Sequence, residues 1–291
     1  MKLRQRSIMQ NLTLDIADIS ISIEDEDRTS GWPIPREYRA FVLPGTPQVR
    51  LRLRRGSPAV MPADEVFHCP PIWSLGRRNG LSFVKIYGEF RGLERTLVLP
   101  HNVESADLYF SGVAPAGGDL FYGPTLELLV LNYLAQGQGA ILHSCAVARD
   151  GRGLVFVGES GAGKSTLARL WAQENGVTIL SDDRAIVRRM GGEFRVYGTP
   201  WHGEAAFSSP LGAKLERIFF LRHGEENAVR AWTGSAAVSS LLTCSFLPHW
   251  DAEGMEFSLE FLTELAAAVP CQELTFTPDR GAIELVEKIV G

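Results

Sequence analysis

Cysteine is scarce, with four in 291 residues. Cys69, Cys145, Cys244 and Cys271 lie far apart and no two form a C-x-x-C pair, which argues against a zinc knuckle and a redox dithiol and leaves free buried thiols. Long apolar runs are missing too. The most apolar segments, 126–135 and 153–157, fall well short of the ~20 residues that cross a bilayer. Residues 1–10 carry positive charge, but polar and acidic groups enter from Asn11 before any apolar h-region, so no signal peptide is expected and the expected location is cytoplasmic. An excess of basic charge is also lacking: the net charge is −5 and the pI near 5.8. Neither nucleic acid nor a membrane is therefore expected as a partner.

What is present is an ordinary globular composition, 45% apolar and 22% charged, in a chain long enough for one large or two small domains. Residues 12–23 alternate loosely between apolar and polar types, as one or two half-buried strands do. Short β-leaning runs follow at 40–43, 49–53, 81–87, 96–99 and 106–110, punctuated by Gly, Pro and Asn. The first part thus reads as a mainly β module. Its aromatics (Trp32, Trp73, Phe83, Phe90, Tyr109) read as β-core in preference to a ligand groove. Arg52, Arg54, Arg55, Arg77 and Arg78 read as solvated charge. A small, Pro/Gly-rich piece at 114–118 marks the expected boundary, giving a mainly β domain over 1–118 and an α/β domain over 119–291.

The second part is organised around Gly158-Glu159-Ser160-Gly161-Ala162-Gly163-Lys164-Ser165-Thr166, which satisfies G-x-x-x-x-G-K-[ST]. An apolar strand at 154–157 leads in and an amphipathic helix over 165–174 leads out. Glycines let the backbone come close to an anion, so that successive N–H groups point at nucleotide phosphates, and the helix adds its positive dipole end. Lys164 would reach the β/γ oxygens and the Ser165 hydroxyl would ligate Mg²⁺. None of the five lysines lies in an N-K-x-D context and no L-S-G-G-Q stretch occurs. A guanine-specific switch and a transporter ATPase are thereby disfavoured, and ATP with Mg²⁺ is the expected pair.

Around the loop the spacing predicts a helix starting at Thr125, a strand over 140–148, a short strand over 177–180 and a hairpin pairing 185–189 with 193–197. A strand at 218–221, helices around 236–242 and 256–269, a strand at 272–276 and a helix over 281–290 capped by Asp279 complete it. The strand at 177–180 delivers Asp182 and Asp183, where a metal-holding carboxylate belongs. Neighbouring side chains at a strand end face opposite ways, so one can hold metal while the other takes a proton from an attacking hydroxyl, or merely caps a turn. His68, His101, His223 and His249 have no ligand spacing and read as surface or ordinary polar contacts.

The run Leu142-His143-Ser144, the loop 158–166 and Leu180-Ser181-Asp182-Asp183-Arg184 together resemble the catalytic core of HPr kinase/phosphorylase and its relatives. Those are protein-serine kinases whose phosphate-loop domain is similar to phosphoenolpyruvate carboxykinase. The resemblance covers about 120–205 well and implies a mixed-sheet α/β domain of that kind, with His143, Lys164, Asp182 and Asp183 at the phosphoryl-transfer site and Ser165 with the two aspartates on the metal. It also implies self-association. The family's glycine-rich signature after the aspartates is replaced here by Gly198-Thr199-Pro200-Trp201-His202-Gly203-Glu204, which resembles kinases of ribosomal precursor peptides more than HPr kinase itself. His202, Trp201 and Glu204 face either the acceptor or the metal, or are packed loop structure. The leading expectation is an ATP- and Mg²⁺-dependent kinase acting on a serine-type hydroxyl of a protein or peptide. A small-molecule kinase for a free serine-like acceptor and a non-catalytic, nucleotide-gated peptide-binding module are the alternatives.

Overall fold

A computed structural model describes residues 11–25, 34–62, 64–87, 93–110 and 124–291. It is a mixed α/β structure whose chain divides into two units, Met1–Tyr133 and Leu134–Gly291. The Pro/Gly-rich stretch at 114–118, Trp32 and Phe90 lie outside the described residues.

The first unit holds β1 (Asn11–Ile16), β2 (Ile19–Asp25), a 3-10 helix (Arg36–Phe41), β3 (Val49–Arg55), β4 (Glu65–Cys69), β5 (Trp73–Arg78), β6 (Leu81–Tyr87), β7 (Leu93–Pro100) and β8 (Ser105–Phe110), with α1 (Thr125–Leu134) following. The eight strands form one mixed sheet in the order β1-β2-β3-β8-β7-β6-β5-β4. On β3 the alternation is plain: Val49, Leu51 and Leu53 are buried, while Arg52 and Arg54 lie on the other face. Those two arginines are not free solvated charge, since both pair with Asp107 on β8. Of the strand expected at 40–43, Val42 makes an isolated antiparallel bridge to Leu14 and the Leu43 N–H donates to the Thr13 carbonyl at 3.2 Å, while residues 40 and 41 end the 3-10 helix. Tyr38 and Phe41, three residues apart, turn to one side there and are both buried, which an extended chain would not allow.

The second unit holds β9 (Ala140–Arg149), β10 (Arg152–Val157), α2 (Lys164–Trp171), β11 (Val177–Ser181), β12 (Arg184–Met190), β13 (Glu193–Tyr197), β14 (Gly212–His223), β15 (Ala228–Ala231), α3 (Ser235–Thr243), β16 (Ser245–Phe246), α4 (Ala252–Ala268), β17 (Cys271–Phe276) and α5 (Arg280–Val290). Its nine strands form a mixed sheet. β10 lies antiparallel to β9 and parallel to β14, and β14 lies parallel to β17.

Helices cover both faces, so the central strands are apolar on both. Leu154 and Phe156 pack with Leu167 and Trp171 of α2 and with Ile283 and Val286 of α5. Val155 and Val157, pointing the other way, pack with Leu241 of α3 and Leu262 and Leu265 of α4. This double burial explains why 154–157 reads as a continuous apolar run rather than an alternating one. It also fixes α2, and with it the loop before Lys164, rigidly against β10. α5 starts where the sequence indicates, with the Asp279 carboxylate accepting from the Gly281 N–H at 2.8 Å.

Candidate functional site

The site begins where β10 ends. Residues 158–163 form a loop, and α2 starts at Lys164 with Gly163 as its N-cap at φ 96°. A side chain at Gly163 would be strained by that φ and would also place Cβ 2.7 Å from Cζ of Phe276. At Gly161, φ is +84° but a Cβ would meet nothing within 4 Å, so open space lies beside the loop there. Ser165 and Thr166 occupy the first turn of α2, where helical N–H groups lack intrahelical partners.

Lys164 is only 6% exposed. Its Nζ donates to the carbonyls of Gly158 at 2.7 Å and Glu159 at 2.9 Å, folding the lysine back over its own loop. Burial depresses its pKa, and the nearby Asp183 carboxylate opposes that shift. A buried cation held by carbonyl dipoles and facing a carboxylate is poised to take an anion.

The two aspartates, adjacent in sequence, are placed very differently. Ser181 Oγ accepts from the N–H groups of Asp183 and Arg184, turning the chain between β11 and β12. Asp182 is 1% exposed, and its carboxylate accepts the backbone N–H groups of Gly203 at 3.0 Å, Ala205 at 2.8 Å and Phe207 at 3.3 Å. It anchors the loop that returns over the end of β11. Asp183 instead faces side chains. Its Oδ1 is 3.2 Å from Nδ1 of His143, and its other oxygen accepts from the Arg184 guanidinium. Burial pushes the Asp183 pKa up, but the His143 hydrogen bond and the charges of Arg184, His143 and Lys164 outweigh it and hold the carboxyl below its usual range.

His143 sits on β9 directly opposite Arg184 on β12, and the Ser144 N–H donates to the Asp183 carbonyl at 2.9 Å. Nδ1 of His143 also lies 3.2 Å from that carbonyl. Both neighbours are acceptors, so Nδ1 carries the proton and the opposite nitrogen is left for another partner. Phe246 of β16 backs this group: its ring meets His143 edge-on at 6.3 Å, and the Arg184 guanidinium lies 5.1 Å above it. His143, Asp183 and Arg184 are thereby brought together, and Lys164 lies near enough for its charge to act on Asp183.

In the replacement segment 198–204 the Gly198 N–H donates to the Leu211 carbonyl at 3.1 Å, the Thr199 hydroxyl to the Arg184 carbonyl at 2.6 Å, and the Gly203 N–H to Asp182. Trp201 is buried, His202 Nδ1 contacts the Gly203 carbonyl at 3.0 Å, and Glu204 is exposed. Of the histidines read as surface groups, His68 pairs with Glu65. His223, also exposed, donates from Nε2 to the Gly161 carbonyl at 2.7 Å and so pins the tip of the glycine loop. Sequence reasoning missed this contact and the Phe276 ring under Gly163. The sequence signal available for His223 was its place just beyond the apolar run 218–221; the parallel pairing of that strand with β10 brings its end to the loop. Loop residues 158–162, Phe220 to His223, and Ser239, Ser240, Thr243 and Cys244 at the end of α3 line a cleft of about 380 Å³. Burial pushes the Cys244 thiol up, which makes it a wall rather than a nucleophile. Among the described residues, no three His, Cys, Asp or Glu side chains are grouped to hold a metal ion by themselves.

No protein-family model and no curated protein matches this chain. Among solved structures it is similar to the Hpr(Ser) kinase/phosphatase from Coxiella burnetii, with 13% identity and a TM-score of 0.31 over 52% of this chain and 87% of that one. At that level of likeness, the functional reading rests on the site itself. No helix among the described residues is long and apolar enough to cross a membrane.

Proposed function

We propose that this protein is a nucleoside-triphosphate- and Mg²⁺-dependent phosphotransferase that modifies a serine-type hydroxyl on a protein or peptide. The observation that carries the reading is the convergence of buried Lys164 with the Asp183–His143 pair at the end of a glycine loop. The donor set fits a polyphosphate: loop amides, the start of α2 and a lysine on one side, with a carboxylate facing that lysine. The open space beside Gly161 leaves room for an anion to approach the backbone.

In this reading residues 158–166 would hold the triphosphate and the Ser165 hydroxyl would hold Mg²⁺, which leaves Asp183 to act as base, while the Asp182 carboxylate is engaged by three backbone N–H groups. Bound Mg-ATP supplies the activated γ-phosphoryl group and much of the charge neutralisation. The chain's own residues do the rest. Lys164 exchanges two carbonyl partners for phosphate oxygens, regaining a full counter-charge for its buried ammonium. Asp183, held ionised by its neighbours, accepts the proton of the incoming hydroxyl. His143 orients that carboxylate through Nδ1–H, and Asp182 fixes the returning loop against which the acceptor docks. Cytoplasmic location, self-association and resemblance to peptide kinases belong to the same reading.

Incubation with γ-labelled ATP and serine-containing peptides tests it. Acid-stable label on serine, lost in Asp183→Asn, is the expected result. Label released only as free phosphate would speak against a kinase.

A further inference from the structure

The cleft beside the glycine loop has a charged wall that the mechanism above does not use. β14 pairs in parallel with β10, with Val157 opposite Phe220, so residues 221–223 run on beside the loop after β10 has ended. Arg222 and His223 therefore line the cleft. His223 is engaged with the Gly161 carbonyl. Arg222 is braced from behind by Glu273 of β17, whose carboxylate is 5% exposed and lies 3.3 Å from the Arg222 Nε.

Glu273 also takes Arg230 of β15, directly opposite it in the ladder, at 2.7 Å. Two guanidinium groups thus share one buried carboxylate, which leaves an excess of positive charge on this wall. The two arginines are not equivalent. Arg230 turns its guanidinium over the Trp232 ring at 5.3 Å and is absent from the cleft lining, whereas Arg222 is part of it. Glu159 also lines the cleft, but as an exposed residue.

We propose that Arg222, braced by Glu273, is the residue that makes this cleft select a polyphosphate chain over a monophosphate. The inference rests on the nucleotide reading above. A single phosphate is satisfied by the loop amides. Further phosphates carry charge past the loop, where a planar guanidinium can take two oxygens at once. Glu273 acts through Arg222 as a positioning residue, holding the fork at the cleft wall instead of letting it sweep through solvent.

Titration calorimetry of the full chain with Mg-ATP and with AMP decides the matter. Arg222→Ala weakens Mg-ATP by about tenfold, the scale of one charge-assisted contact at a solvent-facing site, and shifts AMP by less than about twofold. Arg222→Lys recovers part of the loss, because the charge remains but the fork does not. Arg230→Ala stays within about twofold for both ligands. Glu273→Gln lowers the ratio of Mg-ATP to AMP affinity in the same direction as Arg222→Ala, which a general loss of folding would not do. Equal effects of Arg222→Ala on both ligands, or none on either, overturn the proposal while leaving the nucleotide reading standing. Absence of saturable binding by the unmodified chain overturns both.

Discussion

Asp182 and Asp183 are neighbours, yet removing them should produce opposite kinds of damage. Asp182 accepts three backbone N–H groups of the segment around 203–207 and is 1% exposed, so Asp182→Ala leaves three inward donors without their acceptor. Each buried donor left unpaired costs ~1–3 kcal/mol, and relaxation of the loop recovers part, so a net loss of about 3–5 kcal/mol is expected. At roughly 2–4 °C per kcal/mol for a unit of this size, the melting temperature should fall by roughly 10 °C. Asp183→Asn keeps the shape and can still bond His143, while removing a carboxylate that burial opposes and that His143, Arg184 and Lys164 favour. Its stability loss should be much smaller, but phosphoryl transfer should fall by about 10²–10⁴, the range of a missing general base. Scanning fluorimetry paired with label transfer separates the two. If Asp182→Ala melts like the parent while Asp183→Asn collapses, the division of labour drawn here is wrong.

Lys164→Met should abolish Mg-ATP binding at a modest cost in melting temperature, because relief of the buried charge offsets part of the loss of its two carbonyl partners; intact binding contradicts this. Gly163→Ala should cost at least about 2 kcal/mol in urea unfolding, since its φ is positive and the new Cβ meets Phe276; an unchanged midpoint would refute the cap geometry. For pH, the lowered Asp183 pKa means its stabilisation is present above the ordinary value of 3.8 and is lost as pH falls through the folded value below that. Melts of the parent and Asp183→Asn should accordingly differ at neutral pH and converge on acidification, and a gap that widens in acid counts against the cluster.

Much of the second unit was legible because several local signals agree. The loop, the apolar strand before it and the amphipathic helix after it are contiguous, so pattern and chemistry point the same way. The placement of Asp182 and Asp183 at a strand end was legible for the same reason. Their separate roles were not, because the three N–H groups that saturate Asp182 arrive from a segment 21 to 25 residues later. On β14 only the apolar stretch 218–221 stood out, although the strand runs from Gly212 to His223 and its alternating first half buries Ala213 and Leu215. Reading it short hid the fact that His223 reaches the glycine loop and that Arg222 lines the cleft beside it.

In the first unit, the hairpin of β4 and β5 escaped notice because its strands meet at Pro70-Pro71, and β4 is an edge strand with little burial to impose alternation. The 3-10 helix at Arg36–Phe41 was mistaken for a strand start because Ala40 to Leu43 is apolar on any periodicity. Tertiary burial of Tyr38 and Phe41 decided its form.

The central claim is that the backbone before Lys164, with Asp183 opposite, receives a magnesium-bound triphosphate. Isothermal titration of the intact chain with Mg-ATP tests it most directly. The account predicts saturable heat at one site per chain that ADP competes away, that adenosine does not, and that disappears in Lys164→Met. A flat titration for the unmodified protein, or undiminished heat in Lys164→Met, would contradict it.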